Sequence, residues 1–264
     1  MKTNNIKIKP QWEKSKDEIW NEVFADMVDS ETTETLTPKV KRLPIWRYVA
    51  AAVAAILVIG TSFTYLYTTT EVAERGTHLA VVLPDGSKVN LNAESELSYK
   101  PYWWHVSRGV NLKGEAFFEV ESGSKFDVQS EGNQVRVLGT SFNILARANI
   151  YKVSCLTGKV EVTANSEKTI LTPNMEVILN NGNFKVENTT TINEAISWTQ
   201  NKFSFVGVPL ADVVKEIERQ YDIDVVANSK LDYLYTGNFS KSKKPEEVLE
   251  IIGKPFGITF KVKN

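Results

Sequence analysis

The sequence predicts a single-pass membrane protein: a short helix inside, one membrane span, an all-β domain of stacked-sheet or jelly-roll type outside, and a small α+β domain of two βαβ-like halves. Three observations predict it. Residues 48–67, YVAAAVAAILVIGTSFTYLY, carry no charge. Short alternating runs separated by turn residues extend from Leu79 to about Val186. From Trp198 to Asn264 two strand–helix–strand patterns follow each other, each helix opened by a proline. The implied segments are 1–47 inside, 48–67 spanning, 75–190 all-β and 195–264 α+β.

The inside segment contains one helix signal. Ser15 followed by Glu18 has the spacing of a capping box, in which hydroxyl and carboxylate satisfy orphan amides of the first turn. Ile19, Trp20, Val23, Phe24 and Met27 then recur at intervals of three and four, with Trp12 just upstream, and Asp17, Glu18, Glu22 and Asp26 fill the other positions. No second helix covers the apolar face, because Ser30 to Thr37 is polar and ends at Pro38. A lone short helix is marginal in water. The face therefore lies on a membrane or docks in a groove of a cytoplasmic protein, and its acidic polar side favours the protein.

The uncharged run is long enough to cross a hydrocarbon core of about 30 Å, which takes roughly 20 residues at helical rise. Tyr48, Tyr65 and Tyr67 sit at its ends, where amphipathic rings prefer the headgroup level. A buried core helix of a soluble protein usually shows a polar stripe. A cleaved signal peptide begins after a short basic leader, not after 47 residues. Lys39, Lys41, Arg42 and Arg47 precede the run, while Glu71, Glu74 and Arg75 follow it, so the positive-inside rule puts the N-terminus in the cytoplasm.

Composition narrows the outside part to binding rather than chemistry. Net charge is -1 with 24% charged residues, which gives no sign of direct nucleic-acid binding. The hairpin signal Pro84-Asp85-Gly86-Ser87 divides Leu79–Leu83 from Val89 and Leu91. Val110 and Leu112 precede Gly114, Phe118 and Val120 precede Gly123, Phe126 and Val128 precede Gly132, Val135 and Val137 precede Gly139, Val160 and Val162 follow Gly158, and Phe184 with Val186 follows Asn181-Gly182. Strands so closely spaced, without helices between them, point to stacked sheets. His78 and His105 lack a metal-ligand spacing, and Asp85, Glu115, Glu119 and Asp127 each read as turn or strand residues rather than as a converging acid–base set, so neither metal, cofactor nor enzyme site is expected. Cys155, the single cysteine, lies in the alternating Tyr151, Val153, Cys155 and reads as a small core residue. Trp103 and Trp104 are adjacent, so in a strand one faces the core and the other solvent.

In the tail, Phe203–Val206 and Ile223–Val226 flank a helix carrying Val213, Val214, Ile217 and Tyr221. Tyr235–Phe239 and Ile258–Val262 flank one carrying Val248, Leu249 and Ile252. The halves look like an internal repeat that puts two helices on one face of a small sheet, a scale suited to protein contact. Gly237, Gly253 and Gly257 lack the spacing of a phosphate loop.

LPDGSKVNLNAESELSY (Leu83–Tyr99), GEAFFEV (Gly114–Val120), VRVLGTSFNI (Val135–Ile144) and LTGKVEV (Leu156–Val162) resemble the FecR family of membrane-anchored anti-sigma regulators, and NKFSFVGVPLADVVKEIERQYDIDV is similar to the C-terminal domain that accompanies many of them. The resemblance implies an inner-membrane protein of a Gram-negative envelope whose cytoplasmic segment binds an extracytoplasmic-function sigma factor. Its periplasmic part would sense the signalling domain of a TonB-dependent outer-membrane transducer. The inside segment is shorter than the several-helix domain common in the family, which leaves Trp12, Ile19, Trp20, Val23, Phe24 and Met27 as the sigma-facing stripe. On the same resemblance Phe203, Phe205, Tyr235 and Phe239 are the candidate transducer contacts. It also implies a self-cleavage step at Gly139-Thr140, by attack of the threonine hydroxyl on the preceding carbonyl; Gly139 as a turn or bulge glycine beside an ordinary strand threonine is the other reading. Regulated cutting by envelope proteases would follow, with Gly60, Thr61 and Ser62 weakening the outer half of the span. The competing class is a membrane-tethered periplasmic binding or assembly module for glycan or protein, for which Trp103-Trp104 and the βαβ repeat speak.

Overall fold

Ser15 caps the first helix, α1 (Lys16–Val28), in a computed structural model that describes residues 13–28, 44–147, 150–165, 167–180 and 183–263. The Glu18 amide donates to Ser15 Oγ at 3.2 Å and the Ser15 amide to Glu18 Oε2 at 2.9 Å, so both halves of the capping box form. One turn apart, Trp20 and Phe24 bring their rings to 4.4 Å. The second helix, α2 (Ile45–Leu66), has no buried residue, so it is not the core helix of a soluble fold. Among the described residues it alone is long and apolar enough to cross a membrane. Two of its threonine hydroxyls bond back to the helix's own carbonyls, Thr61 Oγ1 to Leu57 O at 2.8 Å and Thr64 Oγ1 to Thr61 O at 2.9 Å.

Thirteen strands follow: β1 (Thr69–Ala73), β2 (Leu79–Val82), β3 (Lys88–Leu91), β4 (Ser95–Tyr99), β5 (Arg108–Glu119), β6 (Phe126–Ser130), β7 (Asn133–Val137), β8 (Ser141–Arg147), β9 (Ile150–Cys155), β10 (Val160–Ala164), β11 (Glu167–Leu171), β12 (Met175–Asn180) and β13 (Asn183–Asn188). They form one curled sheet whose two halves share β5. The start of β5 lies between β4 and β6, parallel to β6, and its end lies between β3 and β8. The sequence divided this stretch at Gly114 into separate strands, whereas the structure carries one strand through. Gly114 has φ +92, and a Cβ there would stand 2.9 Å from the Glu94 carbonyl oxygen and the Ser95 Cα. Only glycine lets the strand bend from one half-sheet to the other without breaking its ladder.

The inner faces of the two halves share a core in which Phe118 stacks on Phe142 at 4.9 Å and Trp104 meets Phe126 edge-on. Each fully buried phenylalanine contributes about 1.5–3 kcal/mol. Trp104 is buried and Trp103 half-buried, the division expected of them, but both stand in or just past a 3-10 turn (Pro101–Trp103) rather than in a strand. Cys155 is buried in this core, and burial pushes its thiol up to about 11, which leaves it inert. The Asp85 hairpin is clamped by Arg108, whose guanidinium also donates to the Ser124 and Glu121 carbonyls at 2.6 and 2.9 Å. Burial alone would raise the Asp85 carboxyl; the Ser87 amide and Arg108 outweigh it and hold the carboxyl below its ordinary value.

A 3-10 stretch (Ile192–Gln200) leads to β14 (Lys202–Pro209), α3 (Leu210–Tyr221), β15 (Asp224–Ala227), β16 (Leu234–Ser240), α4 (Pro245–Gly253) and β17 (Phe260–Lys263). The expected strand–helix–strand order is present in both halves. The pairing corrects the βαβ reading: β14 pairs with β16 and β15 with β17, both antiparallel, so strands join across the repeat and no parallel unit forms within a half. Val213, Val214, Ile217, Val248, Leu249 and Ile252 fill the core between helices and strands.

Candidate functional site

Three places are candidates for function, two of them expected from the sequence. On α1, Trp20 and Val23 are 60% and 58% exposed and Ile19 is 36% exposed, while Phe24 is half-buried against Trp20. The stripe therefore exists as an open apolar surface on a capped helix. Met27 belongs to the last turn of α1, and Trp12 lies outside the described residues.

The Gly139-Thr140 step lies at a bend between β7 and β8, held from three sides. The amides of Gly123 and Val120 donate to the Leu138 and Thr140 carbonyls at 2.8 and 2.9 Å, and the Ser141 amide donates to Thr157 Oγ1 at 2.8 Å. A Cβ on Gly139 would come within 2.7 Å of the Ser122 Cα, so only glycine fits this approach. Gly158, at φ +71, passes so close that a Cβ there would meet Thr140 Cγ2 at 2.5 Å. Thr140 is 5% exposed, and its hydroxyl finds no hydrogen-bond partner among the described residues. A buried polar atom left unpaired costs about 1–3 kcal/mol, and the Thr140 hydroxyl shares that state with Ser204 Oγ, Asn143 Oδ1 and four ring or guanidinium nitrogens among the described residues.

Sequence reading missed the third place, a buried polar seam joining the sheet to α3. Gln220, 1% exposed, donates from Nε2 to Asn92 Oδ1 at 2.5 Å and to Glu216 Oε1 at 2.9 Å, and its Oε1 lies 3.0 Å from His78 Nε2. Asn92 and Asn143 donate to the two oxygens of Glu115 at 2.8 and 2.9 Å. Beside them Arg219 Nε bonds Glu216 Oε2 at 3.1 Å, and Arg147 Nη2 bonds the Ala93 carbonyl at 2.7 Å. The segment between β1 and β2 ties the same surfaces together: Arg75 Nη2 donates to the Ile223 carbonyl at 2.5 Å, the Gly76 amide to Arg219 O at 2.7 Å, and Lys241 Nζ to Gly76 O at 2.9 Å.

The charges in this seam are unevenly held. Burial, then the Glu216 charge, raise the Glu115 carboxyl above its ordinary value. Burial pushes Glu216 the same way, but Arg147 and Arg219 outweigh it and lower its carboxyl. Burial lowers His78 below 6.5 and also lowers Arg147 and Lys241. The seam, like the rest of the described residues, includes no cluster of His, Cys, Asp and Glu able to hold a metal ion. What it does is fix the position of α3 against the sheet with directional bonds.

The candidate transducer contacts need correction. Phe203, Phe205 and Tyr235 are buried in the core of the C-terminal domain, and Phe239 is half-buried against it. Alternation on β14 and β16 turns these rings toward α3 and α4. Val206, Leu234 and Tyr233 are the large apolar residues that β14, β16 and the approach to β16 leave exposed, at 66%, 67% and 45%.

The described residues thus comprise a capped amphipathic helix, an apolar helix with no buried residue, and a β-rich body whose sheet and α3 are joined by a polar seam. Residues 67–161 match the FecR protein family and residues 202–264 match the FecR C-terminal domain. Two crystal structures of a candidate anti-sigma factor from Parabacteroides distasonis ATCC 8503 are similar to this chain at 31% identity. Their TM-scores are 0.68 and 0.67, and they cover 75% and 74% of this chain and 100% of their own. No curated protein matches it. The chain belongs to the FecR family.

Proposed function

We propose that this protein is a single-pass inner-membrane anti-sigma factor, with α1 in the cytoplasm and the sheet and C-terminal domain in the periplasm. The observation that carries the reading is the order of parts: an open apolar stripe on a capped helix, then α2, then the two FecR-family domains. Ile19, Trp20, Val23 and Phe24, with Trp12 and Met27, bind an extracytoplasmic-function sigma factor as a helix laid in a groove. Outside, the C-terminal domain receives the signalling domain of a TonB-dependent outer-membrane transducer, and the Gln220 seam passes a displacement of α3 to the sheet.

We also propose self-cleavage at Gly139-Thr140. Thr140 Oγ attacks the Gly139 carbonyl carbon, the C–N bond breaks, and the proton leaves the hydroxyl for the freed amine of Thr140. Water then hydrolyses the ester, giving a Gly139 carboxylate and restoring the hydroxyl. The unpaired, buried hydroxyl and the close clasp of Ser122 and Gly158 support this step. Envelope proteases complete the release of α1 with its sigma factor.

The test of sigma binding is co-purification of the tagged full chain with the sigma factor encoded beside its gene. Trp20→Asp with Phe24→Asp is expected to abolish the complex while leaving the chain in the membrane fraction. A complex undiminished by the double substitution would remove the stripe from the account.

A further inference from the structure

The connection between α2 and the sheet is very short. The helix ends at Leu66 and β1 begins at Thr69, so Tyr67 and Thr68 are the only residues between them. Consecutive Cα atoms are 3.8 Å apart, and three such steps reach about 11 Å at most. If α2 spans the bilayer, one side of the sheet must lie at the headgroup layer. Thr69 pairs with Tyr99, which puts the turn after β4 beside that exit.

That side is built of interfacial residues. Tyr65 meets Trp103 edge-on at 5.4 Å, Tyr67 meets Tyr102 at 5.1 Å, and Lys100 Nζ stands 3.9 Å over the Tyr65 ring. The aromatic ring at the end of the span thus continues onto the domain. Beyond the turn, Val106 and Leu138 line one open cleft of about 550 Å³ together with Lys125. Tyr102, Val106 and Leu138 are 59%, 70% and 60% exposed, an open apolar set on this side of the sheet. The acid in the cleft, Asp127, is already engaged by Arg136 at 2.7 Å, and Arg108 is engaged by Asp85. Lys100 and Lys125 are left to meet anions.

Resting on the reading of α2 as a span, we propose that Tyr102, Trp103, Val106 and Leu138, with Lys100 and Lys125, form a membrane-docking face that sits in the phospholipid headgroup layer next to the helix exit. Aromatic rings favour that depth, and lysines favour phosphate. Leu138 immediately precedes Gly139-Thr140, so the docked face would also place this step against the bilayer.

The experiment uses the full chain in nanodiscs of phosphatidylethanolamine and phosphatidylglycerol, with single nitroxide labels on Val106→Cys, Leu138→Cys, Ile56→Cys and Val226→Cys. Cys155 is buried and does not compete for the label. The measured quantity is accessibility to oxygen relative to a water-soluble nickel chelate. Labels at 106 and 138 are expected to shift toward the lipid value of position 56 and away from the aqueous value of position 226. Position 56 in lipid with 106 and 138 fully aqueous would overturn the docking face alone. An aqueous position 56 would remove the span and the docking face with it.

Discussion

Gln220→Ala tests the seam between the sheet and α3. The side chain is 1% exposed and bonds three partners: Asn92 at 2.5 Å, Glu216 at 2.9 Å and His78 at 3.0 Å. A bond to a charged group contributes about 1.5–3 kcal/mol and a neutral one about 0.5–1.5 kcal/mol. Alanine recovers a few tenths of a kcal/mol in helix propensity, and Glu216 keeps Arg219 as a partner. The expected net loss is about 2–5 kcal/mol, which for a folded part of this size lowers Tm by about 4–20 °C. Urea unfolding of the full chain in micelles, followed by tryptophan fluorescence, measures it, because Trp198 lies 5.3 Å from the His78 ring and reports locally. The exposed Gln129→Ala is the control. A loss no larger than the control's would refute the claim that this seam locks the two domains.

Three further outcomes follow from the same geometry. Because burial lowers His78 below 6.5 in the fold, its stabilisation is complete above 6.5 and is lost as pH falls through the lowered folded value; unfolding at about pH 8 and pH 5.5 should show a difference that His78→Gln reduces. Thr140→Val replaces an unpaired buried hydroxyl by a methyl of like size, so it should raise stability by about 1 kcal/mol and abolish any fragment ending at Gly139 on a blot; wild-type fragments from this variant would dismiss the acyl shift. Asp85→Ala leaves Arg108 buried at 9% exposure without its carboxylate and should cost about 3–5 kcal/mol in denaturant unfolding, far more than an exposed ion pair such as Lys113–Glu96.

Local rules carried much of the fold. Ser15 and Glu18 announced the capping box three residues apart, and the Pro84–Ser87 turn, Gly132 and the alternating valines marked hairpins that the structure contains. Non-local pairing was not legible. Gly114 reads as a turn glycine from its neighbours, and only its approach to Glu94 and Ser95 shows why the strand passes through it. The two tail repeats read as parallel units because order along the chain says nothing of which half a strand joins. β1 was hidden in the threonines after α2, where no apolar alternation exists. The seam escaped for a similar reason: Asn92, Glu115, Asn143 and Gln220 each look like surface residues until the fold buries them together. Phe203, Phe205 and Tyr235 erred in the other direction, since aromatic side chains on a strand serve core or contact equally well until the helices are placed.

The most direct test of the central claim is binding of residues 1–47 alone, on a soluble tag, to the sigma factor encoded next to the gene. The account predicts a complex that Trp20→Asp removes, because the stripe on α1 is exposed and self-contained. Failure of the free segment to bind, while the full chain in membranes still does, would contradict the claim that α1 suffices as the anti-sigma element.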